Sequence, residues 1–402
     1  MRKSALVVLT LLLSACGSEA PSGPTFTVRD SVGISIAENR GEVSEDSGGW
    51  TISPEPTLQI GAMEGDEAYL LFRVWGAARL SDGRIAVANN RAPDVRIFSP
   101  TGEHLRTFGQ RGEGPEDFNS PVLMGTLPGD TLVVLDRLLR RINLYHPDDG
   151  FVRGATATTE IAGYLLTSGM FSSGSALTWT SDWEVEMPNG LYRFPVQYRS
   201  VDLDGEIETD FGKFLGNETV YSTQTVEQGT MALSSGRPFG KNPAVAVSGD
   251  LFFFGSQDEY QIEVYEQGGR LTRLIRRDKA PTPVTDDHVA AVMEGMIDEA
   301  DDTDQARRFR RMFREAPIPD LHPAHGSIYV DAQGYLWVEE YRLPGEEIRT
   351  TTIFDPEGRM VGSMTLPSRF RVEEIGEDYI LGRHLDELGV EYIRTYALQR
   401  PG

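Results

Sequence analysis

Short runs of alternating or continuous apolar residues, each ended by a turn, recur along the chain about every 50 residues. The copies cover residues 81–103, 128–150, 175–206, 248–269 and 332–358. Alternation over a few residues is typical of half-buried β-strands, and Pro, Asp and Gly at the ends of the runs are typical of turns. The pattern therefore predicts an all-β protein built from repeated units.

Each repeat has room for four antiparallel strands, and four-stranded units around an axis form the blades of a β-propeller. The last unit has only three strands between residues 370 and 398, so its fourth strand must come from elsewhere. Residues 57–61, TLQIG, are the predicted donor, and this closure would leave no open sheet edge. We predict six blades over residues 57–400, with seven as the alternative, and N-terminal strands within residues 25–56 that pack on the propeller.

The helical period replaces the strand pattern between units four and five, at about residues 284–316. Thr285 is the predicted N-cap of a first helix, and residues 305–315 have the pattern of a second. Connections between the last strand of one blade and the first of the next share one face of a propeller with the loops between second and third strands. The insert is therefore expected at the mouth of the central channel, either as a lid or as a segment that only packs on the blades.

The N-terminus has the pattern of a lipoprotein signal. Two basic residues precede the apolar residues 5–13, and the segment LSAC ends at Cys16. The apolar run suits a signal peptide and is too short to span a membrane. We predict a signal peptide at residues 1–15, a lipid on Cys16, and a flexible tether over residues 16–24. An ordinary secretory signal with an incidental cysteine is the alternative.

Cys16 is the single cysteine of the chain, so no disulfide can form within the protein. Gly17 and Ser18 follow it where an Asp would favour retention at the inner membrane. We therefore expect the protein on the periplasmic side of the outer membrane. The formal net charge of −23 disfavours nucleic acid and anionic lipid as partners. No feature of the sequence indicates an oligomer, so a monomer is expected.

Three stretches carry a resemblance to a known family: residues 80–89, LSDGRIAVAN; residues 108–118, FGQRGEGPEDF; and residues 330–338, VDAQGYLWV. They resemble bacterial six-bladed β-propeller lipoproteins related to NHL-repeat proteins, over roughly residues 57–398. The resemblance implies the propeller architecture, and it implies no particular activity.

The Gly-rich stretch FGQRGEGPEDF is predicted to be a junction between blades. A phosphate-binding loop leads into a helix N-terminus, whereas prolines and glycines follow Phe118 here. No lysine follows the glycines, and Glu113, Glu116 and Asp117 would repel a phosphate. Phe108 and Phe118 are expected to fix the two ends of the crossing, and Arg111 is its one candidate binding residue.

Standard catalytic motifs are absent from the sequence, and its six histidines are scattered. Six-bladed propellers of the gluconolactonase kind, which the predicted fold resembles, hold a divalent cation with Glu, Asn and Asp from the innermost strands. The carboxylates on those strands here are Asp331, Glu373 and Glu374, whereas a hard cation needs several oxygen ligands. Three carboxylates from two blades are a sparse set. The sequence therefore assigns no catalytic residue, metal or cofactor.

The predicted function is binding of a protein or small ligand at the loop face of a lipid-anchored propeller, because repeat folds hold variable loops on a rigid frame. A periplasmic metal-dependent hydrolase, lactonase or lyase is the alternative. The candidate binding residues are charged or aromatic residues of the loops: Arg91, Arg111, Arg137, Trp183, Tyr341 and His384.

Overall fold

The structure is a computed structural model that describes residues 25–42, 49–158, 165–181, 188–226, 229–298 and 314–401. The predicted signal peptide, the tether with Cys16, the loop residue Trp183 and most of the predicted second insert helix lie outside the described residues. Within the described ranges, no helix has the length and apolar character needed to cross a membrane.

Strands dominate the described chain. Two N-terminal hairpin strands and two short strands come first: β1 (Thr25–Ser31), β2 (Ile34–Arg40), β3 (Thr51–Ile52) and β4 (Leu58–Ile60). The first sheet contains β5 (Ala77–Arg79), β6 (Ile85–Asn89), β7 (Asp94–Phe98) and β8 (His104–Phe108). The second sheet contains β9 (Pro121–Leu127), β10 (Thr131–Asp136), β11 (Arg141–His146) and β12 (Gly150–Thr156).

The next two sheets are larger. The third contains β13 (Leu166–Met170), β14 (Ala176–Ser181), β15 (Gly190–Val201), β16 (Ile207–Val226) and β17 (Gly229–Gly236). The fourth contains β18 (Ala244–Ser248), β19 (Leu251–Gly255), β20 (Gln261–Glu266) and β21 (Leu271–Asp278). At its edge β2 pairs with β21 in parallel, and β1 extends the sheet to six strands.

Helix α1 (Asp286–Asp298) separates the fourth sheet from the fifth. The fifth sheet contains β22 (Ile328–Val330), β23 (Leu336–Glu339), β24 (Arg349–Phe354) and β25 (Met360–Leu366). The sixth contains β26 (Phe370–Ile375), β27 (Tyr379–Leu385) and β28 (Glu391–Gln399). The N-terminal strands β3 and β4 both pair with β28 in antiparallel register. The prediction of an all-β protein made mainly of four-stranded antiparallel sheets is confirmed, and this arrangement is that of a β-propeller.

The core lies between the sheets. Successive residues of a strand point to opposite faces, so the apolar run of β10 fills two interfaces at once. Leu132 and Val134 pack against the first sheet, whereas Val133 and Leu135 pack against the third. Such burial on both faces explains why the strongest strands of the sequence are continuously apolar. Equivalent apolar clusters join the third sheet to the fourth, the fourth to the fifth, the fifth to the sixth, and the sixth to the first.

The first strands of the sheets approach one another closely. Gly76, just before β5, has φ +105°, and a Cβ there would overlap the backbone carbonyl of Leu123 in β9. Only glycine permits both this conformation and this approach. The Leu123 amide donates to the Trp75 carbonyl at 2.9 Å, which ties the first sheet to the second at this point.

The third sheet is longer than the sequence pattern indicates. Residues 190–195 of β15 and 214–226 of β16, with β17, extend beyond the end of β14 at Ser181 and form an arm. Arg193 in this arm pairs with Asp258, in the loop between β19 and β20, at 2.8 Å. The arm therefore lies on the side of the loops between second and third strands, which we call the loop face.

Candidate functional site

A central cavity of about 1290 Å³ lies among the first strands of the sheets. All six sheets contribute to its wall through residues 74–77, 122–124, 166–170, 242–247, 326–330 and 369–375. Arg137, Gln257 and Tyr341, from loops between second and third strands, also line it. The cavity therefore reaches the loop face, and it exceeds the roughly 300–1,000 Å³ of a typical small-ligand site, so it has room for a small organic ligand.

One side of the wall is apolar. Met124, Met170, Trp179, Val245 and Val247 line it, and each side chain is half-buried. They come from the second, third and fourth sheets, and they also pack against the core clusters between those sheets. This side can bury an apolar ligand surface.

The other side, from the fifth and sixth sheets, is charged. Arg383 donates to Glu391 at 3.0 Å, and the second oxygen of Glu391 accepts the backbone N–H of Val74 at 2.8 Å. Arg349 pairs with Glu339 in the same wall. The contact of Glu391 with Val74 joins the sixth sheet to the first, and Arg349 also donates to the carbonyl of Phe370, which joins the fifth sheet to the sixth.

Glu373 is the innermost-strand carboxylate that faces the cavity with few partners. Its side chain is 13% exposed, and its nearest cation is the Nε of Arg371 at 3.6 Å. Burial raises the pKa of Glu373, and the nearby carboxylate of Glu391 acts in the same direction, whereas Arg371 and Arg383 lower it. A carboxyl group in this setting can hold a proton inside the cavity.

Asp331 and Glu374, the other two carboxylates that the sequence offers as metal ligands, make contacts that stabilise the fold. Asp331 is 1% exposed and accepts hydrogen bonds from the Gln333 and Tyr335 amides, the Trp337 indole and Arg400. Glu374 accepts the amide of Arg79 at 2.9 Å and the hydroxyl of Tyr379. Within the described ranges, no three His, Cys, Asp or Glu side chains are placed to hold a metal ion.

Two of the six predicted binding residues line the central cavity. The guanidinium of Arg137 lies 3.9 Å from the ring centroid of Trp75, in a cation–π contact. Tyr341 lies at the mouth, where it lines both the central cavity and a neighbouring outer cavity of about 870 Å³. Burial raises the pKa of Tyr341.

Helix α1 stands beside this mouth. Its residue Val292 lines the outer cavity together with Phe239, Tyr341 and Arg342. The hydroxyl of Thr285 accepts the amide of His288 at 3.3 Å, which caps the helix N-terminus as the sequence indicates.

A histidine pair holds the helix to the fifth-sheet side. The Nε2 of His322 lies 2.9 Å from the Nδ1 of His288, and the His322 ring packs 5.1 Å from the ring of Tyr341. Phe239 contacts the same imidazole edge-on. Burial and the neighbouring His288 lower the pKa of His322.

The remaining predicted binding residues are separate from this site. Arg91 and Arg111 are exposed, and neither they nor His384 line the central or the outer cavity. Burial lowers the pKa of His384 on β27. Trp183 lies outside the described residues. Binding roles for these four residues stay predictions.

The loop FGQRGEGPEDF has its backbone carbonyls engaged by β11. Arg141 donates to the carbonyls of Gly114 at 2.7 Å and Asp117 at 2.6 Å, and the Tyr145 hydroxyl donates to Glu116 at 3.0 Å. Phe108 and Phe118 are both buried in the cluster between the first and second sheets. This geometry is that of a structural junction, as the sequence indicates.

Sequence reasoning missed most of the cavity wall. Trp75, Trp179, Arg371 and Arg383 lie on or beside innermost strands, and their alternation with core residues is the signal that could have selected them. Glu391 had no such signal, because its partner Val74 is 317 residues away.

No family model matches the chain, and no curated protein matches its sequence. Among solved structures, it is similar to a candidate exported protein from Bacteroides fragilis, with 10% identity, 91% and 99% of the two chains covered and a TM-score of 0.47. A member of the DUF4221 family from Bacteroides vulgatus has 11% identity, coverage of 87% and 99%, and a TM-score of 0.45. A streptogramin B lyase has 10% identity, coverage of 87% and 98%, and a TM-score of 0.37. At these scores the similarities assign no function to the chain.

Proposed function

We propose that this protein is a lipid-anchored, cell-envelope β-propeller of six blades that binds a small ligand in its central cavity through the loop face. The six sheets and the apolar clusters between consecutive sheets support the blade count. The pairing of β4 with β28 supports closure by an N-terminal strand. The lipid anchor and the outer-membrane location rest on the sequence around Cys16.

The observation that carries the binding proposal is the divided wall of the cavity. An apolar side from three sheets faces the same space as a charged side from the others, and the space reaches the loop face. Ligand sites combine apolar surface with a few convergent polar groups in this way.

Filling the cavity tests the proposal. Ser327 lines the cavity with an exposed side chain, so Ser327→Trp adds an indole to that space, whereas Thr27→Trp adds one on the exposed face of β1. A fragment library screened by saturation-transfer NMR against residues 17–402 should give hits that Ser327→Trp loses and Thr27→Trp retains. Hits that survive in Ser327→Trp would place binding elsewhere, for example at a loop surface used by a protein partner.

The lipid anchor has its own test. Expression of the full chain with labelled palmitate should give a labelled protein in the outer-membrane fraction, and Cys16→Ser should remain unlabelled. A labelled Cys16→Ser protein would contradict attachment at this cysteine.

Glu373 is the residue that supports the alternative function of a hydrolase or lyase, because a buried carboxyl group with a raised pKa in a cavity is suited to proton transfer. Elemental analysis of purified residues 17–402 addresses the metal-dependent form of that alternative. Stoichiometric Ca, Mg, Mn or Zn that Glu373→Gln removes would favour it over simple binding. If the Glu373→Gln protein contained as much metal as the parent protein, Glu373 would not be a ligand of that metal.

A further inference from the structure

The charged side of the cavity holds more guanidinium groups than its carboxylates neutralise. Three cavity arginines pair with cavity glutamates: Arg349 with Glu339, Arg371 with Glu373, and Arg383 with Glu391. Two more arginines of this side, at positions 342 and 369, line the same space. The whole chain has a formal net charge of −23, so a local excess of positively charged side chains contrasts with the rest of the protein.

The two remaining glutamates of the wall do not offset that excess. Glu340 is held by Arg277 at 2.7 Å and by Lys279, two cations that lie outside the central cavity. Glu374 is engaged by a backbone amide and by the hydroxyl of Tyr379, and burial raises its pKa. The wall therefore presents a positive field to the cavity.

Arg342 and Arg369 stand where the central and outer cavities meet. Among the residues that the structure describes, no carboxylate lies in ion-pair contact with either of them, and Arg369 donates only to the backbone carbonyl of Asp386, at 3.0 Å. Three nearby acidic residues line the outer cavity and not the central one: Glu346, Glu347 and Glu387. An anion that enters from the loop face would meet these two guanidinium groups at the mouth.

Arg371 is the cation deeper on the first strand of the sixth sheet. Its side chain is 69% exposed and lines the cavity, and among the described residues its one ion pair, with Glu373, is long at 3.6 Å. A guanidinium with free N–H groups can bind a carboxylate or sulfonate through two parallel hydrogen bonds. Arg371 therefore offers an anion site inside the cavity.

From this arrangement we propose that the cavity ligand is an amphipathic organic anion, with an acidic headgroup at Arg371, Arg342 and Arg369 and an apolar body against Met170, Trp179 and Val247. This inference rests on the proposed binding function and specifies the ligand class. A neutral apolar ligand would leave the guanidinium groups partly desolvated without a partner, which is costly. A small polar anion would leave the apolar side in contact with water.

The test compares two fluorescent probes that share a ring system and differ in charge. 1-Anilinonaphthalene-8-sulfonate carries a sulfonate, and N-phenyl-1-naphthylamine is neutral. We expect residues 17–402 to bind the sulfonate probe at least about tenfold more tightly, a preference that high salt reduces. Ser327→Trp should abolish this binding, which places the probe in the cavity.

Arginine variants identify the headgroup site. Arg371→Gln and the double variant Arg342→Gln/Arg369→Gln should each weaken binding of the sulfonate probe by about tenfold and leave the neutral probe unchanged. Arg153→Gln is the matched control, because Arg153 lies on β12 and pairs with Asp204 at 2.7 Å outside the cavity. Circular dichroism and melting temperature check that every variant is folded.

The outcomes separate the two proposals. Equal affinity for both probes, lost in Ser327→Trp and unaffected by the arginine variants, would overturn the anion inference and leave cavity binding in place. Binding of either probe that Ser327→Trp does not change would overturn both.

Discussion

The Nε2 of His322 lies 2.9 Å from the Nδ1 of His288, and this contact joins helix α1 to the segment that precedes the fifth sheet at the mouth of the cavity. Two neutral imidazoles can share one proton in this contact, whereas two imidazolium ions would repel. Tyr341 and Phe239 cover His322, and Glu346 is the acidic group that favours its protonated form. The position of the helix is thereby coupled to protonation.

We predict that acid loosens helix α1. The pKa of His322 is lowered below its ordinary value of 6.5, so the unfolded or undocked form binds the proton more readily. The contact is therefore fully stabilising above that ordinary value and weakens as the pH falls through it. Hydrogen exchange of the helix amides, corrected for intrinsic rates, should be faster at about pH 5 than at about pH 7.5. His288→Gln should reduce this pH dependence without removing it, because the burial of His322 remains, and equal protection at both pH values in the parent protein would contradict the coupling.

A second pH effect is expected inside the cavity. Burial raises the pKa of Glu373, so this side chain becomes neutral at a higher pH than an ordinary glutamate and then no longer repels an anion beside Arg371. The affinity for 1-anilinonaphthalene-8-sulfonate should rise as the pH falls. Glu373→Gln should bind the probe more tightly at neutral pH and lose this dependence. A parent-like pH profile in Glu373→Gln would assign the effect to another group.

Asp331→Asn is expected to destabilise the fold by about 3 kcal/mol, because it breaks a buried ion pair with Arg400 and weakens three further hydrogen bonds. The matched control is Asp378→Asn, whose carboxylate is 82% exposed and lies 3.7 Å from Arg79. Urea unfolding should separate the two variants. If Asp331→Asn were as stable as the parent protein, the Asp331 carboxylate would contribute little to the stability of the fold.

The junction loop gives a test of glycine geometry. A Cβ on Gly109, which has φ +74°, would overlap the buried ring of Phe118, whereas one on Gly129, with φ +82°, would meet nothing within 4 Å. Gly109→Ala should cost about 3 kcal/mol, against about 1 kcal/mol for Gly129→Ala, where only the backbone conformation is unfavourable. Melting temperatures measure the difference. Equal losses would show that the Phe118 contact contributes little.

Gly112 and Gly114 have ordinary backbone conformations, and a Cβ on either would meet the carboxylate end of Asp117. Because that side chain can rotate, valine at these two positions should reduce stability less than Gly109→Ala does.

The strands could be predicted from the sequence, because the apolar pattern that indicates a strand depends only on residues close together in the chain. The apolar runs of β6, β10 and β19 and their Gly and Asp turns are visible in the sequence because every one of these strands is buried between two neighbours. The helix start at Thr285 also depends on nearby residues alone.

Features that depend on distant residues were not predictable. The extension of β16 is polar on one face, and its length depends on pairing with residues 190–195 rather than on its own pattern. The parallel pairing of β2 with β21 joins residues more than 230 positions apart. The cavity wall combines short segments from six sheets, so no one segment shows it.

The pairing of β4 with β28 has a consequence for biogenesis. Arg394 and Gln59, which face each other in this pair, are separated by 335 positions. Contacts of such sequence separation form late in folding. A chain that crosses a membrane N-terminus first cannot make this pair until nearly its whole length has been delivered. Under the proposed export of the chain, the sixth sheet would stay incomplete throughout translocation, and a chaperone that shields unpaired strand edges would act on the chain until its last strand arrives.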